Sequence, residues 1–160
     1  MRHFRIRSNI VNYQRGFSLL EVLIAVVILS IGLLGVAGLQ LAGLRFAHNA
    51  NLRYIAALQA NDIADRMRAN RPGVIAGAYN NLNGTGSDPG CIDTGCSPTQ
   101  MAATDAFEWN TANANLLPSG AGTVTGQGVD SVFTITINWT EMGPGAVGGE
   151  VQTFVMNVQP

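Results

Sequence analysis

The dominant pattern along the chain is one long apolar run followed by an amphipathic one. From Val22 to Leu44 no residue is charged, and Leu, Val, Ile, Ala and Gly prevail. At ~1.5 Å rise per residue, a helix over this run covers ~34 Å, enough for a hydrocarbon core of about 30 Å. Beyond it, Leu52, Ala56, Ala60, Ile63 and Met67 are spaced 4, 4, 3 and 4 apart, which sets them on one helical stripe suited to seating a head domain. No proline falls between Phe17 and Arg71. The pattern therefore predicts one helix over 17–70, ~80 Å long. Asn70-Arg71-Pro72-Gly73 should end it.

Downstream, residues 73–97 are rich in Gly, Asn, Asp and Ser and read as a surface loop. Ser97-Pro98-Thr99-Gln100 then carries the signature of a helix start: Ser97 as N-cap, Pro98 in the first helical position, Gln100 closing a capping box. That helix is expected to reach about Asn113, with Met101, Phe107 and Trp109 available for packing. From Phe133 to Thr140 apolar and polar residues alternate strictly, as in a strand with one buried face. A second strand, Val151 to Val158, follows a loop rich in glycine, and Thr123 to Thr125 is a weaker third candidate. The fold class is thus α+β, a small antiparallel meander laid against the stripe of a long N-terminal helix. A chain of 160 residues has room for one such domain.

Charge sets the orientation. All nine cationic residues are arginines, and Arg2, Arg5, Arg7 and Arg15 precede the apolar run with no acidic residue among them. By the positive-inside rule this end stays in the cytoplasm and the remainder crosses. Residues 17–160 carry five arginines against ten carboxylates, a net charge of −5 (5 − 10). No nucleic-acid partner is expected for so acidic a segment. Arg66, Arg68 and Arg71 form a local basic patch, explained by the preference of cations for a helix C-terminus. Asp62 and Arg66, four apart, read as a surface pair contributing a few tenths of a kcal/mol.

Cys91 and Cys96 both lie on the exported side, where so close a pair is expected to form a disulfide. Closing that small loop would contribute roughly 2 kcal/mol on the chain-entropy model. The only histidines are His3 and His48, too few ligands for zinc. A periplasmic enzyme would need a nucleophile, a base and an orienting group, or a metal. His48 alone, near the membrane exit, does not supply these, so neither catalysis nor a cofactor is expected. Asn138-Trp139-Thr140 matches a glycosylation sequon by chance, inside a strand.

Three readings compete for the N-terminal segment. A secretory signal peptide could be cut at Gly35-Val36-Ala37, but its polar lead would be long and Glu21 would interrupt its apolar core. A plain signal anchor explains the span and leaves Glu21 unexplained. A charge near the end of a bilayer helix costs a few kcal/mol unless it is paired. The third reading rests on Arg15-Gly16-Phe17-Ser18-Leu19-Leu20-Glu21-Val22-Leu23-Ile24, which resembles the prepilin leader and N-methylation motif of type IV pilins. The resemblance implies that prepilin peptidase cuts between Gly16 and Phe17, that Phe17 is N-methylated, and that the apolar run is retained. It implies further that Glu21 neutralises the new amino group of a neighbouring subunit and so selects register during assembly.

On this reading the chain has the type IV pilin fold, divided as follows. Residues 1–16 are a cleaved leader, 17–44 a transmembrane and assembly half of the helix, and 45–71 its periplasmic half. Residues 72–120 form an αβ-loop with the disulfide and a short helix, and 121–160 a β-meander. Ile31-Gly32-Leu33-Leu34-Gly35, the stretch from Asn61 to Arg71, the segment from Cys96 to Trp109, Leu117-Pro118 and Trp139 are similar to PilV-type minor pilins. Residues 73–90 and 141–150 lie outside that resemblance. Major pilins usually close a C-terminal loop with a disulfide, and no cysteine follows Cys96.

The implied role is priming of pilus assembly from the inner membrane of a Gram-negative bacterium, at the fibre tip, in support of twitching and adhesion. Its partners would be other minor pilins, the major pilin, the assembly platform and membrane lipid. An I-type pseudopilin of type II secretion has a nearly identical leader, and the Asn61 to Arg71 stretch speaks for the pilus. A DNA-binding competence pilin would need a basic head.

Overall fold

The computed structural model describes residues 16–84, 86–91, 95–128, 130–143 and 148–160. The basic lead with Arg2, Arg5, Arg7 and Arg15 lies outside the described residues, as does Thr85 of the expected loop. The chain divides into two compact units, residues 1–41 and 42–160. In the first, the described part is the beginning of helix α1 (Leu19–Ala69), and every side chain from Gly16 to Leu41 is exposed. Ser18 starts the helix: the Glu21 amide donates to Ser18 Oγ at 3.2 Å, and Glu21 stands in the first turn, where the dipole favours an acid. Among the described residues of this unit nothing covers its leucines, valines and isoleucines, an exposure consistent with membrane anchoring.

The second unit combines the remainder of α1 with α2 (Arg71–Ile75), α3 (Pro98–Leu116) and four strands: β1 (Asn81–Asn83), β2 (Ala121–Thr125), β3 (Phe133–Glu141) and β4 (Glu150–Val158). The strands form one sheet in the order β1-β2-β3-β4, and every pairing is antiparallel. The α+β architecture expected from the sequence is present, with a long apolar N-terminal helix and a small antiparallel sheet. Leu52, Ala56, Ala60, Ile63 and Met67 are all buried on α1 and join one core with Val124, Phe133, Ile135, Ile137 and Trp139 from the sheet.

Three local expectations need correction. The break at Asn70 lasts a single residue, because Asn70 caps a new helix: the Gly73 amide donates to Asn70 Oδ1 at 3.2 Å. Pro72 falls in the first turn of α2, where a missing N–H costs nothing. The surface loop expected over 73–97 is in part core, since Gly73, Val74 and Tyr79 are buried and Leu82 sits in β1. Helix α3 runs to Leu116 rather than Asn113. Leu117 then turns extended (φ −121°, ψ 136°), as a residue before proline prefers, and Met101 of α3 is exposed rather than packed.

Strand β3 alternates as its sequence foretold, with Phe133, Ile135, Ile137, Trp139 and Glu141 all inward. Its neighbour β2 owes its place to Gly122, which pairs with Ile137 and donates its amide to Asn110 Oδ1 at 2.8 Å. A Cβ at Gly122 would overlap the ring of Trp109 and crowd the Asn113 amide. Gly122→Ala is therefore expected to destabilise the head by about 1–3 kcal/mol, the usual range for overpacking. Denaturant unfolding of the full chain in detergent checks this, and an unchanged midpoint would contradict it.

Candidate assembly interface and head clamp

The N-terminal site consists of Phe17 and Glu21 at the head of α1. Phe17 is 83 % exposed and Glu21 is also exposed, as are Leu20, Val22, Leu23 and Ile24 around it. One carboxylate thus marks the start of a helix segment that is otherwise uncharged and exposed as far as Leu44. Ser18-Leu19-Leu20-Glu21 also has the S-x-x-E spacing of a capping box, a helix-start signal visible in the sequence itself. Glu21 therefore has a local role open to it besides an intersubunit one, and the two are separable by experiment.

The head is held by a polar clamp between the end of α1, the segment after α2, and α3. Arg66 Nε donates to Asp62 Oδ2 at 3.0 Å, while Nη1 reaches Asp105 Oδ1 at 3.3 Å and Glu108 Oε2 at 2.6 Å. The Asp62–Arg66 surface pair expected from spacing is in fact one edge of an interhelical cluster. Asp105 is buried, and its other oxygen accepts from the Tyr79 hydroxyl. Asn70 Nδ2 in turn donates to Tyr79 Oη at 3.0 Å and to the Pro98 carbonyl at 2.8 Å. Every member has partners, so the buried Asp105 charge is compensated. Burial by itself would lower the Arg66 pKa, but the bond to Glu108, the charge of Asp62 and the bond to Asp105 outweigh it and raise the value.

Tyr79 is moved in the alkaline direction as well. Burial is the main cause and the bond to Asp105 the second, against a smaller opposing effect of Asn70. The raised native value means that stability is unaffected up to the ordinary tyrosine value near 10 and is lost as pH rises beyond it. The expected slope above pH 10 is about 1.4 kcal/mol per pH unit for this one group. Tyr79→Phe should lose about 1–3 kcal/mol at neutral pH and lack that alkaline limb. Unfolding of both proteins between pH 8 and 12 checks it, and parallel curves would contradict it.

Two further devices seat the sheet and α3. Trp109 is fully buried and its indole Nε1 donates to the Gln59 carbonyl of α1 at 2.8 Å. Glu141, one residue past the expected strand end, is turned inward by the alternation of β3. There its Oε1 accepts from Trp139 Nε1 at 3.0 Å and faces Arg53 Nε at 3.5 Å. The disulfide Cys91–Cys96 is formed, with 5.0 Å between the Cα atoms, and Thr104 Oγ1 of α3 donates to Cys91 Sγ at 3.0 Å. Among the described residues no group of three or more His, Cys, Asp or Glu side chains is arranged to hold a metal ion.

The architecture and the N-terminal segment have features consistent with membrane anchoring: an apolar helix segment that no described residue covers, and a small α+β head. Residues 11–37 match the prokaryotic N-terminal methylation motif, and residues 38–107 match the family described as Type IV pilin Tt1218. Together the two matches support a type IV pilin-like protein, and the matched pilin family is structural rather than enzymatic. Comparison with curated proteins and with solved structures gives no match. The family match stops before β2, so the pairing of β2, β3 and β4 is known from the structure alone.

Proposed function

We propose that this chain is a PilV-type minor pilin that primes type IV pilus assembly. One observation carries the proposal: a single exposed carboxylate, Glu21, at the start of an exposed uncharged helix segment, inside the matched methylation motif. On this reading prepilin peptidase removes residues 1–16, Phe17 becomes the N-methylated first residue, and residues 17–44 anchor the protein in the inner membrane of a Gram-negative cell. The new amino group is cationic and lies one helical turn from Glu21 along the sequence. Intramolecular neutralisation competes with pairing to a neighbour, and packing of the apolar segments side by side favours the neighbour. Register then follows from charge pairing in a low-dielectric surrounding, where an unpaired ion costs a few kcal/mol.

The head then serves subunit contacts at the fibre tip, with other minor pilins and the major pilin as partners, and the acidic net charge speaks against a nucleic-acid ligand. Deletion of the gene tests this reading against the secretion alternative. Loss of surface fibres and twitching with type II secretion intact is the expected result. Intact fibres with secretion lost would make the chain a pseudopilin and overturn the proposal.

A further inference from the structure

Within the second unit, β3 runs back along α1. At its start Phe133 lies against Gly126, whose amide donates to the Asn80 carbonyl at 3.0 Å. The neighbouring Tyr79 is joined through Asp105 to Arg66, near the far end of α1. At the other end of β3, Glu141 faces Arg53 Nε at 3.5 Å, and Arg53 Nη2 donates to Gln152 Oε1 of β4 at 3.3 Å. The end of the head where β3 stops and β4 begins is therefore the end nearest the apolar run.

The distances are short. Arg53 follows Leu44, the last residue of the run, by nine residues (53 − 44), about 14 Å of helix. The polar layer of a bilayer takes up about 5–8 Å of this on each side. Met142 carries the chain one residue past Glu141, about 3 Å further, and its long side chain extends the reach. Both apolar side chains at this end are exposed, Met142 at 77 % and Val151 at 71 %.

Charge is divided in the same sense. From Val22 to Asn61, α1 contains Arg45 and Arg53 and no acidic residue, and its acids Asp62 and Asp65 come only towards the far end. Of the two acids where the strands meet Arg53, Glu141 is buried and Glu150 is exposed. Arg45, just past the run, is exposed beside the exposed Phe46. Exposed apolar side chains next to cations, at the height of the headgroups, are the combination that a lipid surface takes up.

We infer that the head rests on the exported surface of the membrane through this end, with Met142 and Val151 at the lipid headgroups and Arg45 and Arg53 towards their phosphates. The inference rests on the reading of residues 17–44 as a membrane anchor and goes beyond it, since an anchored helix by itself leaves the head clear of the lipid. A head held both by its helix and by this end turns a fixed face to its neighbours in the membrane.

Met142→Cys in the full chain, labelled with an environment-sensitive fluorophore, is the test. Cys91 and Cys96 are joined in the disulfide, so the new thiol is the one that takes the label. The chain is reconstituted in vesicles of phosphatidylethanolamine and phosphatidylglycerol that carry a nitroxide quencher either on the headgroup or deep in the acyl chain. Val132→Cys, exposed before the opposite end of β3, is the control, and Leu33→Cys reports on the anchor. The expected result is severalfold stronger quenching by the headgroup nitroxide at Met142 than at Val132, with Leu33 quenched by the deep one. Adding Val151→Glu to Met142→Cys should lower its quenching towards the Val132 level. Quenching at Leu33 with none at Met142, equal quenching at Met142 and Val132, or no effect of Val151→Glu would each overturn the inference and leave the anchor standing. No quenching at Leu33 would overturn the anchor and the inference with it.

Discussion

Glu21→Ala is expected to reduce surface fibres to a small fraction of the wild-type amount while the protein remains in the membrane. The expected size follows from the environment of the charge. A pair that compensates a few kcal/mol in lipid, once removed, lowers the equilibrium for joining a subunit by about a hundredfold or more. The local alternative is that Glu21 only supports the helix start through the Ser18-Leu19-Leu20-Glu21 box and the dipole, worth about 1 kcal/mol. Glu21→Gln separates the two, since an amide preserves capping-box chemistry and removes the charge. Both variants should fail to assemble fibres, as judged by shearing and immunoblot. Rescue by Gln would assign Glu21 to capping, and rescue by Ala would remove it from assembly.

Trp109→Ala is expected to have the largest effect on the head, a loss of about 3–5 kcal/mol. The indole is fully buried, lies against Gly122 of β2 and hydrogen-bonds the Gln59 carbonyl of α1. Its removal therefore opens a cavity where α1, α3 and the sheet meet. Small domains have about 5–15 kcal/mol in total, so the variant should be partly unfolded near physiological temperature. Its urea midpoint and its resistance to protease, in detergent, measure the effect. A loss below about 1 kcal/mol would mean that the core reseals around the gap, contrary to the close packing described.

Legibility of this chain from its sequence follows the range of the interactions. The α1 stripe, the capping box at Ser97 and the alternation of β3 are set by residues within a few positions of one another, and all are found as read. Strand β1 was not legible, because Asn81-Leu82-Asn83 is too short to show a period. It exists because Leu82 fills core space opposite Val124. The clamp was legible only at its nearest edge. Asp62 and Arg66 are four apart, but Asp105 and Glu108 come from α3, and Tyr79 lies in a stretch whose glycines and asparagines suggested solvent. Glu141 shows the same limit at one residue's distance. A strand read to Thr140 leaves it in a loop, and one more residue of pairing puts it inside, where Trp139 and Arg53 meet it. At the N-terminal site the motif could be read directly, while the partner that Glu21 is proposed to meet is another subunit and leaves no mark in a single chain.

The central claim is that the apolar helix is retained after a cut between Gly16 and Phe17. Intact mass and N-terminal fragment spectra of the protein purified from membranes or fibres test it most directly. The account predicts a chain that begins with N-methylated Phe17 and contains Glu21 and the whole run from Val22 to Leu44. A chain that still carries residues 1–16, or one cut at Ala37, would contradict it.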